Sequence, residues 1–556
     1  MSIPASDAPP DIISDPPVDL GRPVANGGRG KHAAPDDGAS TEFSADALVK
    51  KVTGEKGSAG KSDLRADDGD QALDPKRWIA LAVIAIAQLM VILDATIVNI
   101  ALPQAQEALG ISDANRQWMV TAYALPFGAL LLLGGRIADY VGRKKILIIA
   151  LSGFAVASAV GGFAQSGWEL FVARAFQGAF AAMLAPAALS LVTVTFHAAK
   201  ERAKAFAVFG AISGGGAAVG LLLGGVLTEY ASWRWCLFVN IPIAIIAVLA
   251  AIPVLKESKV EGGTHYDIPG AVLATAGLGT LVWAFTQPAE HGWGSINTLG
   301  WLAVSVILLL AFVLVELRSS SPLLPLRILQ NRNRAGAYVV GLLVGAGLFA
   351  VFLFLTYYLQ LVLQYTPIQA GFAFLPFSAG IIVGAGIGSQ LTLRLGPRYV
   401  VPAGLLLGVI GLFWLSRINV ETTYTGTILW AMLIIAVGMG FIFMSTTNVA
   451  LVGVDHDDAG VASAVVSTTQ QVGGSIGTAL LNTIAATATV SFIAANPPQG
   501  ADPTAILTAT NAAAVHGFGV AFLWSSIIFA IAIVASLILI NAGKDDVADL
   551  EAAPAV

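Results

Sequence analysis

From about residue 78 to residue 541 the chain alternates long apolar runs with short polar ones. The runs fall at 78–102, 117–135, 146–165, 168–193, 203–228, 234–254, 268–287, 297–317, 335–359, 367–391, 399–417, 427–452, 461–488 and 516–541. A helix needs about twenty apolar residues to cross a bilayer, so the pattern predicts fourteen spanning helices. Glycine and proline inside these runs are compatible with spanning, because neighbouring helices and polar side chains satisfy the freed backbone groups. Residues 1–74 read differently. They are polar and rich in Pro, Gly, Asp and Ala, too poor in apolar surface to offset the entropy of folding, and are expected to be a disordered tail. The first apolar run begins only near Trp78, which does not fit a secretory signal peptide.

Composition agrees with the pattern. Of 556 residues, 56% are hydrophobic and only 12% charged, with a mean hydropathy of +0.76. Soluble domains carry about twice that share of charge, so a polytopic all-α membrane protein is indicated. The net charge of −5 decides nothing, but the placement of the positive charges does. With the N-terminus inside, all but four of the 30 Lys and Arg residues fall in cytoplasmic segments; Arg116, Arg234 and Arg417 are outside and Arg174 lies within a span. Lys and Arg next to spanning helices favour the cytoplasmic side, which puts both termini in the cytoplasm and the chain in the plasma membrane.

Several function classes find no support. The basic residues sit at helix ends rather than in a nucleic-acid-binding patch. No G-x-x-x-x-G-K-[ST] run occurs, which argues against ATP as the energy source. Cys236 is the only cysteine, so an intramolecular disulfide or a multi-cysteine metal site is excluded. His197, His265, His291 and His516 are expected at or near helix ends as solvated side chains, and no nucleophile–base pair or metal set stands out in the spans. An enzyme is not indicated, and no cofactor or metal is expected.

Three stretches carry candidate chemistry. The first is Gly134–Lys145, GGRIADYVGRKK, a tight turn between spans 2 and 3. A positive-inside anchor accounts for its basic residues, but not for Asp139 or the glycines at both ends. The second is Asp94, deep in span 1 within LMVILDATIVNIALP. A carboxylate at a span centre costs about 2.5–3.5 kcal/mol, so it is expected to face protein or a water-filled cavity. Burial there favours the protonated acid and a neighbouring cation the ionised one, which allows proton exchange; a purely structural bond to a neighbouring helix is the plainer reading. Asn99, five residues on, is turned about 140° from Asp94. The third is Arg174 in span 4, with Gln177 and Gly178 on the same helix face. At 1.5 Å per residue, Arg174 lies about 9 Å and Asp94 about 12 Å below the outer boundary. Similar depth predicts that the two charges pair; the competing reading is that Arg174 reaches outward to headgroups.

The chain also repeats itself faintly. GSQLTLRLGPR at Gly388–Arg398 follows span 10 much as GGRIADYVGRK follows span 2, with Gly396 matching Gly142 and Leu393 standing where Asp139 stands. GGG at Gly214–Gly216 in span 5 has a counterpart in GGSIG at Gly473–Gly477 in span 13. Two six-helix halves with two helices inserted between them produce this arrangement. The expected division is a tail at 1–74, one half at 75–258, the inserted helices and a loop at 259–330, the second half at 331–541 and a short tail at 542–556.

The loop pattern Gly135, Asp139, Gly142, Arg143 closely resembles G-x-x-x-D-x-x-G-R-K/R, found between helices 2 and 3 of the major facilitator superfamily. LDATIVNIALP, RAFQG, the Thr356–Pro376 stretch and Gly460–Leu480 resemble the corresponding spans of its fourteen-helix drug:proton antiporter family. The resemblance covers nearly the whole membrane region and neither tail. It implies a two-half transporter with its site at the interface of the halves near the midplane, proton coupling at Asp94 with proton transfer by Arg174, and gating by Gly135, Asp139, Gly142 and Arg143. Span 5, with Gly216, Gly220, Gly224 and Gly225, is similar to the family's antiporter motif, whose glycines permit a kinked, closely packed helix. Leu221 stands where that motif usually has proline. Asn99, Gln177 and Gln360 are candidate cavity residues. Glu229, at the outer end of span 5, is expected to be solvated, with a second proton site as the alternative. Arg143, Lys144 and Lys145 are expected to meet Asp455, Asp457 and Asp458 of the second half and hold the inside closed.

These readings together predict proton-coupled efflux of hydrophobic or cationic small molecules by a monomer, with the proton as coupling ion. Two alternatives stay open: an exporter dedicated to one endogenous metabolite, and a non-transporting membrane sensor or scaffold using the long tail to bind a partner.

Overall fold

The computed structural model describes residues 76–196, 198–259, 267–320, 322–324, 327–454, 459–497 and 503–546. The expected N-terminal tail, the outermost residues of the C-terminal tail, His197, His265, Asp455, Asp457 and Asp458 lie outside the described residues.

Among the described residues, fourteen helices are long and apolar enough to cross a membrane: α1 (Arg77–Ala108), α2 (Trp118–Val141), α3 (Arg143–Phe163), α4 (Gly167–Thr195), α5 (Lys204–Tyr230), α6 (Trp235–Val254), α7 (Ile268–Thr286), α8 (Ile296–Arg318), α9 (Arg332–Val362), α10 (Pro367–Leu395), α11 (Pro397–Leu415), α12 (Tyr424–Leu451), α13 (Val461–Ala495) and α14 (Ala505–Leu539). Several run past the apolar windows of the sequence. The α14 helix starts eleven residues before 516, because the polar stretch ahead of its apolar core, TATNAAAVH, remains helical. His516 is therefore inside a helix rather than at its end, exposed and with its ring 4.8 Å from that of Phe492.

The helices pair in two matching sets. In the first, α1 packs on α4, α5 and α6, α2 on α4, and α3 on α4 and α6. In the second, α9 packs on α12, α13 and α14, α10 on α12, and α11 on α12 and α14. Adding eight to each number turns one set into the other. The halves meet through α2 against α13 and α5 against α10. The inserted helices α7 and α8 pack on each other, and α7 alone leans on α2 and α13. There Leu125, Val282 and Ala479 form a small apolar cluster across three helices.

The repeat extends to the turns. Gly142 and Gly396 both take positive φ, +123° and +86°, where a side chain would be strained. Just past each glycine a backbone N–H donates to the end of its own half: Arg143, directly after Gly142, to Ser258 O at 2.9 Å, and Arg398, one further on because Pro397 has no N–H, to Ala542 O at 3.3 Å. Close helix contact is also repeated. A Cβ on Gly224 of α5 would stand 2.7 Å from Ile97 O of α1, and one on Gly477 of α13 would stand 2.2 Å from Ala346 O of α9. In lipid, association relies on such backbone approach, because apolar side chains gain little by leaving apolar tails.

Candidate functional site

Five helices of the first half converge on Asp94. Its Oδ2 lies 2.5 Å from Arg174 Nη1. Its Oδ1 accepts hydrogen bonds from Gln177 Nε2 at 3.0 Å and Asn240 Nδ2 at 2.8 Å. Arg174 is fixed from three further directions: Nε donates to Met119 O at 3.2 Å, Nη1 to Gln177 Oε1 at 3.1 Å, and the guanidinium sits 4.4 Å from the centre of the Tyr123 ring. Gln177 also donates to Ser158 Oγ at 2.6 Å. Asp94 is 0% exposed and Arg174 2%, so Arg174 does not reach outward to headgroups.

The local sequence explains the convergence. Gln177 follows Arg174 by three residues, so both project from one face of α4. Gly178 lets α4 approach α2 so closely that a Cβ there would stand 2.2 Å from Tyr123 O; that approach brings Met119 O within reach of the guanidinium. Asn240, Ser158 and Tyr123 were not singled out by the sequence reading. The signal available for Asn240 was a lone amide inside the apolar span 6. Its Oδ1 is buried without a hydrogen-bond partner among the described residues, an orphaned acceptor beside the ion pair.

Asn99 and Gln360 are not part of this network. Asn99 donates to Ala95 O of its own helix at 3.3 Å. Gln360 sits in a π-helical turn, Tyr358–Val362, at the end of α9 and donates across the halves to Ile100 O at 2.8 Å. Asn99, Gln177 and Gln360 thus belong to three separate hydrogen-bond sets.

The glycines of α5 serve two contacts. Gly216, Gly220 and Gly224, four residues apart, face α1: Cβ atoms there would meet Ile92, Thr96 and Ile97 at 3.0, 2.0 and 2.7 Å. Gly225 faces α10, where a Cβ would stand 2.7 Å from the Cα of Ile368. The helix continues without a break from Ala199 to Tyr230, in keeping with Leu221 in place of proline. Glu229 is not simply solvated. Its Oε2 accepts the backbone N–H of Ile368 at 3.0 Å, so it caps the N-terminus of α10 from the opposite half.

The expected turn over Gly134–Lys145 is confined to Gly142, because α2 stays helical to Val141 and α3 begins at Arg143; the stretch is tied within its own half. Arg143 pairs with Asp139, Nη2 to Oδ1 at 2.8 Å. The N–H groups of Lys144 and Lys145 donate to the Glu257 carboxylate, each at 3.1 Å, and Lys144 Nζ to Ile252 O at 2.7 Å. The acids expected to meet these basic residues, Asp455, Asp457 and Asp458, lie outside the described residues. The tie within the half follows from proximity: the end of α6 returns beside the start of α3, and Glu257 meets the donor end of that helix.

At the opposite end, the α1–α2 turn seals against the second half. Arg116, read from sequence as an outside loop charge, is only 6% exposed. Its Nε donates to Asn482 Oδ1 of α13 at 2.9 Å, and its guanidinium lies 4.5 Å from the Tyr357 ring centre. Asn482 Nδ2 donates back to Gln117 Oε1 at 2.7 Å and to Asp113 O at 2.9 Å. Tyr357 donates its hydroxyl to Gln106 Oε1.

Two matching helix sets around buried charges define a membrane transporter. Residues 84–478 match the family model of the Major Facilitator Superfamily, and the chain belongs to that family. It is 45% identical over 474 residues to the puromycin resistance protein pur8 of Streptomyces alboniger, covering 85% of this chain and 93% of that one. It is 38% identical over 414 residues to the cephamycin export protein CmcT of Amycolatopsis lactamdurans, covering 74% and 85%. A bacterial homologue of the human lysosomal transporter Spinster, solved inward-facing and unoccupied, shares the fold with a TM-score of 0.60 at 16% identity, over 85% of this chain and 98% of that one. The family and these relatives are transporters, not enzymes.

Proposed function

We propose that the protein is a proton-coupled drug exporter of the plasma membrane, acting as a monomer with both termini in the cytoplasm. The observation that carries this reading is the buried Asp94–Arg174 pair, held by Gln177 and Asn240. An ionisable pair inside a membrane bundle is costly unless it has a role, and proton relays are a common one. Ionised, Asp94 has the acceptor capacity for the Arg174, Gln177 and Asn240 donors at once. Protonated, it carries a hydrogen that must itself find an acceptor, and its attraction for Arg174 falls. The orphaned Asn240 Oδ1 beside it supplies such an acceptor after a small turn. Proton binding thereby rearranges five helices of one half and shifts the inward–outward equilibrium by its differential affinity for the two states.

The resistance and export activities named for the relatives support antibiotics as the substrate class. A second reading, a dedicated exporter of one compound made by the cell, is favoured by the name of the cephamycin export relative. The test is substrate-induced proton movement in inverted vesicles, comparing the native chain with Asp94→Asn across puromycin, a cephamycin, and cationic dyes and drugs. Proton release by the native chain alone supports antiport through Asp94. Equal signals from both would move coupling elsewhere. Silence from both would leave a transporter of another substrate.

A further inference from the structure

A second pair of buried acids lies away from Asp94, where the inserted helices begin and end. Asp267 caps α7: its Oδ1 accepts the Gly270 N–H at 2.8 Å. Glu316 lies near the end of α8, and its Oε2 accepts the Leu324 N–H at 3.0 Å. The two residues are 7% and 3% exposed. Both carboxyls crowd one point: Asp267 Oδ1 and Glu316 Oε1 are each 2.8 Å from where a Cβ on Gly270 would stand, so these oxygens are no more than twice that distance apart. Each acid has one oxygen on a backbone donor and one left over. Asp267 Oδ2 and Glu316 Oε1 are buried and have no hydrogen-bond partner among the described residues.

Among the described residues, Arg318 on α8 and Lys259 before α7 are exposed rather than buried beside the acids. Arg136 of α2 donates to Pro322 O at 3.5 Å rather than to either acid, and Asp139 is taken up by Arg143. The described part of α13 carries no charged residue. Glu261 and His265 precede Asp267 outside the described residues. Two carboxylates this close and out of water repel too strongly for both to stay ionised, so one holds a proton. A carboxylic acid has a donor that its carboxylate neighbour can accept. One proton held between the two carboxyls therefore gives a buried, orphaned oxygen a partner.

We propose that Asp267 and Glu316 bind one proton between them, forming a second proton site that clamps the base of the α7–α8 pair. This site rests on no part of the reading of Asp94. It also has a mechanical consequence. The chain after α8 is held at Leu324 by Glu316 and at Pro322 by Arg136, near the end of α2. Loss of the shared proton leaves two repelling carboxylates, draws Glu316 away from Leu324, and slackens the strap that Arg136 grips. The inserted helices thereby sense pH at the end of the bundle that carries the basic loops.

The test is pH-difference infrared spectroscopy of the purified full-length protein in lipid, with native chain, Glu316→Gln, Asp267→Asn and Asp94→Asn compared. The native chain is expected to show a protonated-carboxyl carbonyl band that titrates, is lost in Glu316→Gln and in Asp267→Asn, and survives in Asp94→Asn. If one of the near-isosteric variants fails to fold, the other gives the answer. A spin label on Ser320→Cys, with Cys236→Ser, adds a second reading: its mobility should rise with pH in the otherwise native chain and stay flat with Glu316→Gln, whose amide donates permanently. A titrating band unchanged in both Glu316→Gln and Asp267→Asn, or a native spectrum with both acids ionised throughout, would overturn the proposal. Survival of the band in a chain that moves no protons with any drug would sink the exporter reading and leave this site standing.

Discussion

Arg174 Nη1 stands 2.5 Å from Asp94 Oδ2 with neither side chain more than 2% exposed. Removing one member of such a pair strands the other as an uncompensated charge, at a cost of about 3–5 kcal/mol. Arg174→Gln should therefore lose both thermal stability and transport. The double variant Asp94→Asn/Arg174→Gln should recover much of the stability and none of the coupling, because no charge is then stranded. Arg174→Lys should fall between, since one ammonium cannot hold Met119 O, Gln177 and Asp94 in the same planar geometry. Melting of the four proteins in detergent, beside vesicle transport, checks this.

The α1–α5 contact predicts a sharp positional effect. Gly224→Ala places a Cβ 2.7 Å from a backbone oxygen that cannot rotate away, so the helices must part. The expected cost is about 1–3 kcal/mol. Gly210→Ala, on the same helix with nothing within 4 Å, should be neutral or slightly stabilising. Melting temperatures of the two variants make the comparison.

Arg116 and Asn482 join the halves at the end opposite the basic loops. Asn482→Ala removes the acceptor for Arg116 and the donor to Gln117 without adding bulk. It should weaken closure at that end and raise the labelling rate of a cysteine placed at Gln106, in a Cys236→Ser background, from the outer face. An unchanged rate would show that the aromatic packing around Arg116 closes that end alone.

Near the basic loops, Arg77 and Glu201 pair at 2.8 Å. The hydrogen bond from Arg77 holds the Glu201 carboxyl below its ordinary range. A depressed carboxyl stabilises the fold above its unfolded value, and that contribution disappears as pH falls through the folded value. Glu201→Gln should thus melt slightly below the native chain near neutrality, converge with it at acid pH, and differ less in high salt. Melting curves across pH at two ionic strengths read this out.

Much of the molecule was legible without coordinates, for reasons particular to bilayers. Asp94 stood out because a carboxylate inside a long apolar run is expensive and rare, and the number of spans followed from run length alone. Gly142 and Gly396 marked the same turn in two halves because both need positive φ. Arg174 was visible for the same reason as Asp94, and their similar depth followed from helix rise.

What the sequence did not reveal is which surfaces meet. Asn240 and Ser158 look ordinary in their spans, and only the crossing of five helices makes them partners of one carboxylate. Arg116 has the composition of an outer loop, yet the closing of two halves buries it against α9, α13 and α14. Glu229 looked solvated because its partner, a backbone N–H at the start of α10, lies 139 positions away. Asp267 and Glu316 are unremarkable at two helix ends until antiparallel packing of α7 and α8 brings them together. Periodicity, run length and the cost of charge in lipid are local properties, written in order along the chain. Contacts between distant helices depend on side-chain fit across surfaces that no local pattern encodes, so tertiary structure alone decided them.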